Sequence, residues 1–325
     1  MAQSTDQRLV TVFGGSGFVG RHAVAHLARD GWQVRVAVRR PDEALFLKPA
    51  GVVGQITPLA ANIRDQESVA RAIAGADAVV NLVAILHESG KQRFQALQAE
   101  GAARLAEAAR STGARHFVQV SAIGADAASN SAYARTKAAG EQAVLRAFPQ
   151  AVILRPSIIF GPEDGFFNRF AAMAMTSPFL PLIGGGRTRF QPVYVGDVAA
   201  AVAAALRLPA AQGKTYELAG PSIYTFRELL EIMLAEIGRK RLLLPIPFAV
   251  AGLMGAVMQC LPRPQLTMDQ VRLLKRDNVA APGALGLADL GIRPNGLELI
   301  LPTYLDKFRV RGNLPPRQQP KPPAR

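Results

Sequence analysis

Cysteine is all but missing from this sequence: Cys260 is the single thiol in 325 residues. That excludes an internal disulfide and any cysteine-based metal cluster, and it suits a reducing compartment. Histidine is nearly as scarce, with four scattered residues that lack metal-ligand spacing, so no metal is expected. Aromatic residues make up 6% of the chain, too few for a base-stacking platform, and with no nucleic-acid motif present no nucleic acid is expected as a partner. Residues 1–8 contain neither the apolar core of a signal peptide nor the amphipathic pattern of a transit peptide, so the chain is expected to begin here and stay inside the cell. Acid is short as well: 24 Asp and Glu against 38 Lys and Arg leave a net charge of +14. Such an excess implies an anionic membrane surface or an acidic protein partner.

What the chain does have is a 49% hydrophobic content, enough for one large core or a core with a smaller lobe. Near its start an apolar run, Val10-Thr11-Val12-Phe13, enters Gly14-Gly15-Ser16-Gly17-Phe18-Val19-Gly20. This glycine spacing between a strand and a helix is a dinucleotide clamp. Gly14 permits the tight turn, Gly17 lets backbone N–H groups approach a pyrophosphate, and Gly20 lets the helix press on the strand. Residues 32–38 alternate as a second strand should. An NAD site places an acidic residue after that strand to hold the ribose 2′-hydroxyl, but here Arg39-Arg40-Pro41 stands in its place. Guanidinium groups pair with a 2′-phosphate, so Arg39 and Arg40 select NADP(H).

Farther along, short apolar segments alternate with alanine-rich helical stretches, the pattern of a parallel sheet covered on both faces. Strands are expected near 55–58, 78–83, 116–121 and 151–154, and helices near 17–29, 66–74, 94–112 and 132–148. The fold class is therefore α/β, a doubly wound parallel (Rossmann) sheet over residues 1–155. A smaller, partly interleaved C-terminal lobe covers 156–310, with 197–218 returning to the sheet as a helix and a strand. The tail 311–325 is basic and proline-rich, and is expected to lack structure.

Tyr133 and Lys137, at i and i+4, share a face of the helix over 132–148. A lysine ammonium beside a phenol favours the phenolate, so the pair predicts a lowered tyrosine pKa and a proton donor and acceptor for a carbonyl or alcohol. Lys137 would also hold the nicotinamide ribose. Together with the glycine turn, these residues resemble the short-chain dehydrogenase/reductase superfamily in its extended or atypical branch. The resemblance implies that Asn62-Ile63 touches adenine, although aspartate is more usual than Asn62. It places Leu82-Val83-Ala84 beside the adenine ribose, Ser121 as the active-site hydroxyl, and Pro156 and Ile158 by the nicotinamide. An active enzyme of this branch would carry a further hydroxyl near Ile123, which has none.

A narrower resemblance rests on Val80-Asn81-Leu82-Val83, Arg155-Pro156-Ser157, Phe160-Gly161-Pro162-Glu163-Asp164 and above all Gln191-Pro192-Val193-Tyr194-Val195-Gly196-Asp197-Val198. These blocks are similar to the NADPH-binding accessory subunits of respiratory complex I (NADH:ubiquinone oxidoreductase) and their bacterial relatives. That family implies a mainly structural NADPH, complex I subunits as partners, and a cytoplasmic location held peripherally on the inner membrane of a bacterium. The other expectation is an enzyme: an NADP-dependent reductase or epimerase using Ser121, Tyr133 and Lys137 on a small or isoprenoid-like substrate. One segment bears on the membrane. Residues 242–262 are uncharged, but Pro245 and Pro247 interrupt them, and the remainder, 248–261, is too short to span a bilayer. Flanked by Arg239, Lys240, Arg241 and Arg263, it suits a helix lying on an anionic membrane surface.

Overall fold

Short runs rich in valine, isoleucine, leucine and phenylalanine make the strands of the first half of the chain, and alanine-rich stretches make its helices. The structure, a computed structural model, describes residues 8–259, 261 and 264–309. The expectations attached to residues 1–7, Cys260, Arg263 and the tail 311–325 lie outside the described residues. In order come β1 (Leu9–Phe13), α1 (Phe18–Arg29), β2 (Gln33–Val38), β3 (Ile56–Ala60), α2 (Gln66–Ile73), β4 (Ala78–Asn81), α3 (Glu100–Ser111), β5 (His116–Val120), α4 (Ala132–Ala147) and β6 (Val152–Pro156). In β5, Val118 and Val120 face a core shared with Ala23, Val24 and Leu27 of α1, while Phe117 faces a second core with Ile73, Leu105 and Val144 of α2, α3 and α4. Burial of both faces explains why these strands read as near-continuous apolar runs.

The chain continues through β7 (Ile159–Phe160), α5 (Phe167–Thr176), β8 (Phe179–Ile183), β9 (Arg189–Phe190), β10 (Val193–Tyr194), α6 (Val195–Arg207) and β11 (Thr215–Leu218). α6 packs on α1, and β11 pairs in parallel with β6. The result is a seven-stranded parallel sheet in the order β11-β6-β5-β4-β1-β2-β3. Its strand order reverses between β1 and β4, so the crevice at their carboxyl ends is where a doubly wound sheet receives a ligand.

The remaining elements are β12 (Tyr224–Thr225), α7 (Phe226–Glu236), β13 (Leu242–Ile246), α8 (Phe248–Met258), α9 (Met268–Leu273) and α10 (Leu297–Leu305). They form a second lobe around Phe160, Phe167, Leu180, Phe226, Leu229 and Leu301. The Gln191 to Asp197 block is the joint between the two bodies. Gln191 donates to the Gly220 carbonyl at 2.8 Å and accepts from the Ala280 amide at 3.1 Å. The buried Asp197 carboxylate accepts from the Asn295 backbone and side chain at 2.7 and 2.6 Å. Buried polar groups of this kind must be satisfied, which explains why the joint is written in polar residues.

Three segments depart from the sequence expectation. The helix expected over 94–112 begins instead as a π-helical turn, Gln95–Ala99, before α3. The strand expected to reach Val83 stops at Asn81, because the Val83 amide turns back to the Asn81 side chain at 3.1 Å. Residues 242–246 are not a spoiled piece of helix but β13, parallel to β8 in a two-stranded sheet. Such a sheet consists of edges, which tolerate the missing N–H of Pro245.

Candidate functional site

The glycine turn closes on itself at the β1–α1 junction. Gly14 has φ +78, and a Cβ there would lie 3.1 Å from the Leu82 carbonyl carbon. A Cβ on Gly20 would fall 2.2 Å from the Gly14 oxygen and 2.6 Å from the Gly15 Cα. The Gly17 amide donates to the Gly14 oxygen at 3.0 Å, and Gly17 caps α1 without any side-chain bond. The first N–H groups of α1, on Phe18, Val19 and Gly20, therefore have no intrahelical partner and face outward at the positive end of the helix. Ser16 and Gly17 lie at the lip, and Gly15 fits only because it has no side chain against Val36, 2.8 Å from where a Cβ would sit. A cradle that side chains would fill, lined by spare amides, fits a pyrophosphate.

Around this cradle the other expected cofactor residues take distinct places. Arg39 follows β2, is exposed, and forms no ion pair among the described residues. Arg40 is different, because Glu43 holds its guanidinium. The Asn62 side chain accepts from the Arg64 amide at 3.1 Å, and the Asn62 amide donates to Ser68 at 3.0 Å. Ile63 is core, buried beneath α3. Leu82, Val83 and Ala84 leave β4 directly beside the glycine turn, with the Leu82 amide on the Phe13 carbonyl at 2.9 Å. Asn81 secures that exit by donating to Gln119 on β5 at 2.9 Å.

At the other end of the crevice stand Ser121, Tyr133 and Lys137. Ser121 is 4% exposed, and its hydroxyl has no partner among the described residues. A buried orphan hydroxyl in a native site calls for a ligand or water. Lys137, also 4% exposed, donates to the Val120 carbonyl at 3.2 Å. Burial pulls its ammonium down to about 8, with Glu141 opposing. The expected lowering of the Tyr133 pKa is not found: burial pushes the phenol up to about 12. The reason is geometric, since the ammonium lies over the ring, 5.8 Å from its centroid, and desolvation governs. Beyond this pair, Pro156 ends β6 and accepts from the Ile123 amide at 3.0 Å, and Ile158 is half-buried just after it.

Four residues here were not legible in the sequence. Gln98, in the π turn, is buried, donates to the Ile85 carbonyl at 3.1 Å and leaves its side-chain oxygen unpartnered. Its backbone oxygen abuts Gly140 of α4, where a Cβ would lie 2.1 Å away. Phe94, at the head of that turn, meets the Tyr133 ring edge-on at 5.9 Å. A lone polar residue in an alanine-rich run, facing a glycine three residues after Lys137, was the available signal. Asp269 and Asn278 come from the second lobe, more than a hundred residues from the Ala132 and Ile158 amides they hold, and no local pattern marks them.

The model of the NAD dependent epimerase/dehydratase family matches residues 10–219. The mitochondrial NADH dehydrogenase (ubiquinone) 1 alpha subcomplex subunit 9 of Arabidopsis thaliana is 39% identical over 316 residues, covering 94% of this chain and 79% of that protein. A ceramide reductase of Caulobacter vibrioides is 33% identical over 245 residues, 75% of each chain. In structure, a dTDP-glucose 4,6-dehydratase from Streptomyces venezuelae, solved with NAD bound, superimposes with a TM-score of 0.70 at 22% identity, over 92% of this chain and 96% of that one.

Proposed function

Because the chain belongs to the NAD dependent epimerase/dehydratase family, and within it to that of the subunit 9 proteins, we propose that it is an NADPH-binding accessory subunit of respiratory NADH:ubiquinone oxidoreductase. The similarity to subunit 9 along nearly the whole chain carries this reading. In it the dinucleotide is chiefly structural: the glycine cradle and the amides of Phe18 and Val19 hold its pyrophosphate, and Lys137, one turn beyond Tyr133, holds the nicotinamide ribose. A tagged copy purified from native membranes should bring subunits of that oxidoreductase with it. Their absence from the purified material would overturn the assignment.

NADP(H) is supported over NAD(H) by the free guanidinium of Arg39. NADPH should bind more tightly than NADH by at least about tenfold, or 1.4 kcal/mol, and Arg39→Asp should reduce or reverse that preference in calorimetric titration. Equal affinity for the two dinucleotides is the result that excludes it.

Peripheral attachment to an anionic membrane is supported by the second lobe. Leu253 and Val257 of α8 are 70% and 66% exposed, and Leu242 of β13 is 62% exposed. Ala251 and Gly255 are the buried positions of α8, and no helix among the described residues is long and apolar enough to cross a membrane. Arg239, Lys240 and Arg241 beside this face have no carboxylate partner among the described residues. Each basic side chain near an anionic surface adds about 1 kcal/mol. The protein should pellet with anionic vesicles at low ionic strength, leave them at high salt, and lose binding when Arg239, Lys240, Arg241 and Arg263 become glutamine. Binding indifferent to lipid charge would refute attachment of this kind.

A second reading is favoured by the orphan Ser121 hydroxyl, one residue after the Val120 carbonyl that holds Lys137: an NADP-dependent oxidoreductase or epimerase acting on a small or isoprenoid-like, quinone-related substrate. NADPH supplies a hydride when bound, Ser121 would orient a carbonyl, and Tyr133 would exchange the proton. Steady-state assay distinguishes the two. Turnover of NADPH with a carbonyl substrate, reduced about a hundredfold or more by Tyr133→Phe, establishes the enzyme. If Tyr133→Phe leaves NADPH retention and partner association unchanged and no turnover is found, the accessory subunit stands.

A further inference from the structure

Residues 269–278 follow α8 in the second lobe and reach the first half of the chain on both walls of the crevice. On one wall Asp269 meets the N-terminus of α4. Its carboxylate accepts from the Ser131 hydroxyl at 2.8 Å, the Ala132 amide at 2.8 Å and the Tyr133 amide at 3.1 Å. Ser131 already caps this helix locally, accepting from the Ala134 amide, so a second, remote carboxylate is not needed to start it. Placed on first-turn amides at the positive end of the helix dipole, it instead fixes where that first turn stands. Arg276 adds an ion pair to Asp126 at 2.7 Å in the loop before α4. On the opposite wall the Asn278 side-chain oxygen accepts from the Ile158 amide and the Ser157 hydroxyl, both at 2.8 Å.

The geometry points to residues 269–278 as a clamp that sets the nicotinamide end of the cofactor groove, with Asp269 and Asn278 as its positioning residues. Asp269 places the turn that bears Tyr133 and, one turn on, Lys137. Asn278 places Ser157 and Ile158 across from them. Among the described residues the clamp makes no hydrogen bond or ion pair to the glycine turn, Arg39 or Asn62. The clamp thus acts on the nicotinamide half of the groove and not on the adenine half. The inference rests on the reading of the groove as an NADP(H) site.

Two ligands separate the halves: NADPH, and adenosine 2′,5′-bisphosphate, which has no nicotinamide ribose. In calorimetric titration of the full chain, Asp269→Asn should weaken NADPH about fivefold, the scale of a lost helix cap, and leave the bisphosphate unchanged within about twofold. Asn278→Ala should show the same split, and serves if Asp269→Asn yields no folded protein by thermal melting. Equal losses for both ligands, or an unchanged NADPH affinity, would overturn the clamp. Lys137→Ala tells this failure from that of the underlying reading. If it weakens NADPH while the clamp variants do not, the clamp alone is wrong; if it leaves NADPH untouched, the assignment of the groove falls and the clamp with it.

Discussion

Gly20→Ala should cost the protein its dinucleotide, even though alanine is the better helix former. In an exposed helix interior the replacement would stabilise by about 1 kcal/mol. At position 20 the new Cβ would stand 2.2 Å from the Gly14 oxygen and 2.7 Å from the Gly15 carbonyl carbon, all of it backbone. Rotamer change gives no relief, so α1 must back away from β1, at the cost of about 1–3 kcal/mol typical of overpacking. The amides of Phe18 and Val19 withdraw with it. Losing two hydrogen bonds to a charged pyrophosphate, at about 1.5 kcal/mol or more apiece, amounts to about a hundredfold in affinity. The control lies in α8, where a Cβ on Gly252 meets nothing within 4 Å. Gly252→Ala should therefore raise the melting temperature, whereas Gly20→Ala lowers it and weakens NADPH binding about a hundredfold. Retention of wild-type affinity by Gly20→Ala would mean that the phosphate does not sit on this turn.

The cofactor-free chain should become more stable as pH rises from 8 to 10, against the usual fall in alkali. Lys137 titrates near 10.5 when unfolded and at about 8 in the fold. Between those values the unfolded chain binds the extra proton, so stability increases with pH and is lost again as pH falls through 8. At about 1.4 kcal/mol per pH unit, the two units from 8 to 10 are worth up to about 3 kcal/mol. Tyr133 acts oppositely. Its folded value of about 12 lies above the ordinary 10, so its contribution is complete below pH 10 and drains away above it. The expected profile therefore climbs to about pH 10 and then turns down. Urea unfolding across this range should show the climb in the wild type and a flat or falling line in Lys137→Met. A wild type without the climb would mean that the Lys137 ammonium is solvated in the folded state.

The doubly wound sheet was legible because its information is local. Strands such as β5 and helices such as α1 and α4 each show their own periodicity, and glycines 14, 17 and 20 state the tight β1–α1 turn within seven residues. Arg39 was legible by position alone, as the residue after β2 where an acid is usual. Arg40 looked equivalent in sequence and is not, because Glu43, three residues away, engages it. The π turn at Gln95–Ala99 escaped notice for the opposite reason: an alanine-rich run satisfies an α-helix equally well, and only the approach of α4 at Gly140 distinguishes the two.

The sequence by itself determined the fold class, the glycine turn between β1 and α1 and the side-chain types at the carboxyl ends of the strands, since each follows from spacing along one segment. Tertiary structure decided the state of those side chains. Whether Lys137 lowers the Tyr133 pKa depends on where the ammonium sits relative to the hydroxyl and on how much water both have lost, quantities set by elements distant in sequence. The same holds for the face of α8 that stays exposed, for the pairing of residues 242–246 with β8, and for the reach of Asp269 across 136 residues to the amide of Tyr133. Propensity and periodicity fall off within a few turns of chain, whereas desolvation and capping act through space, so only the folded molecule could fix them.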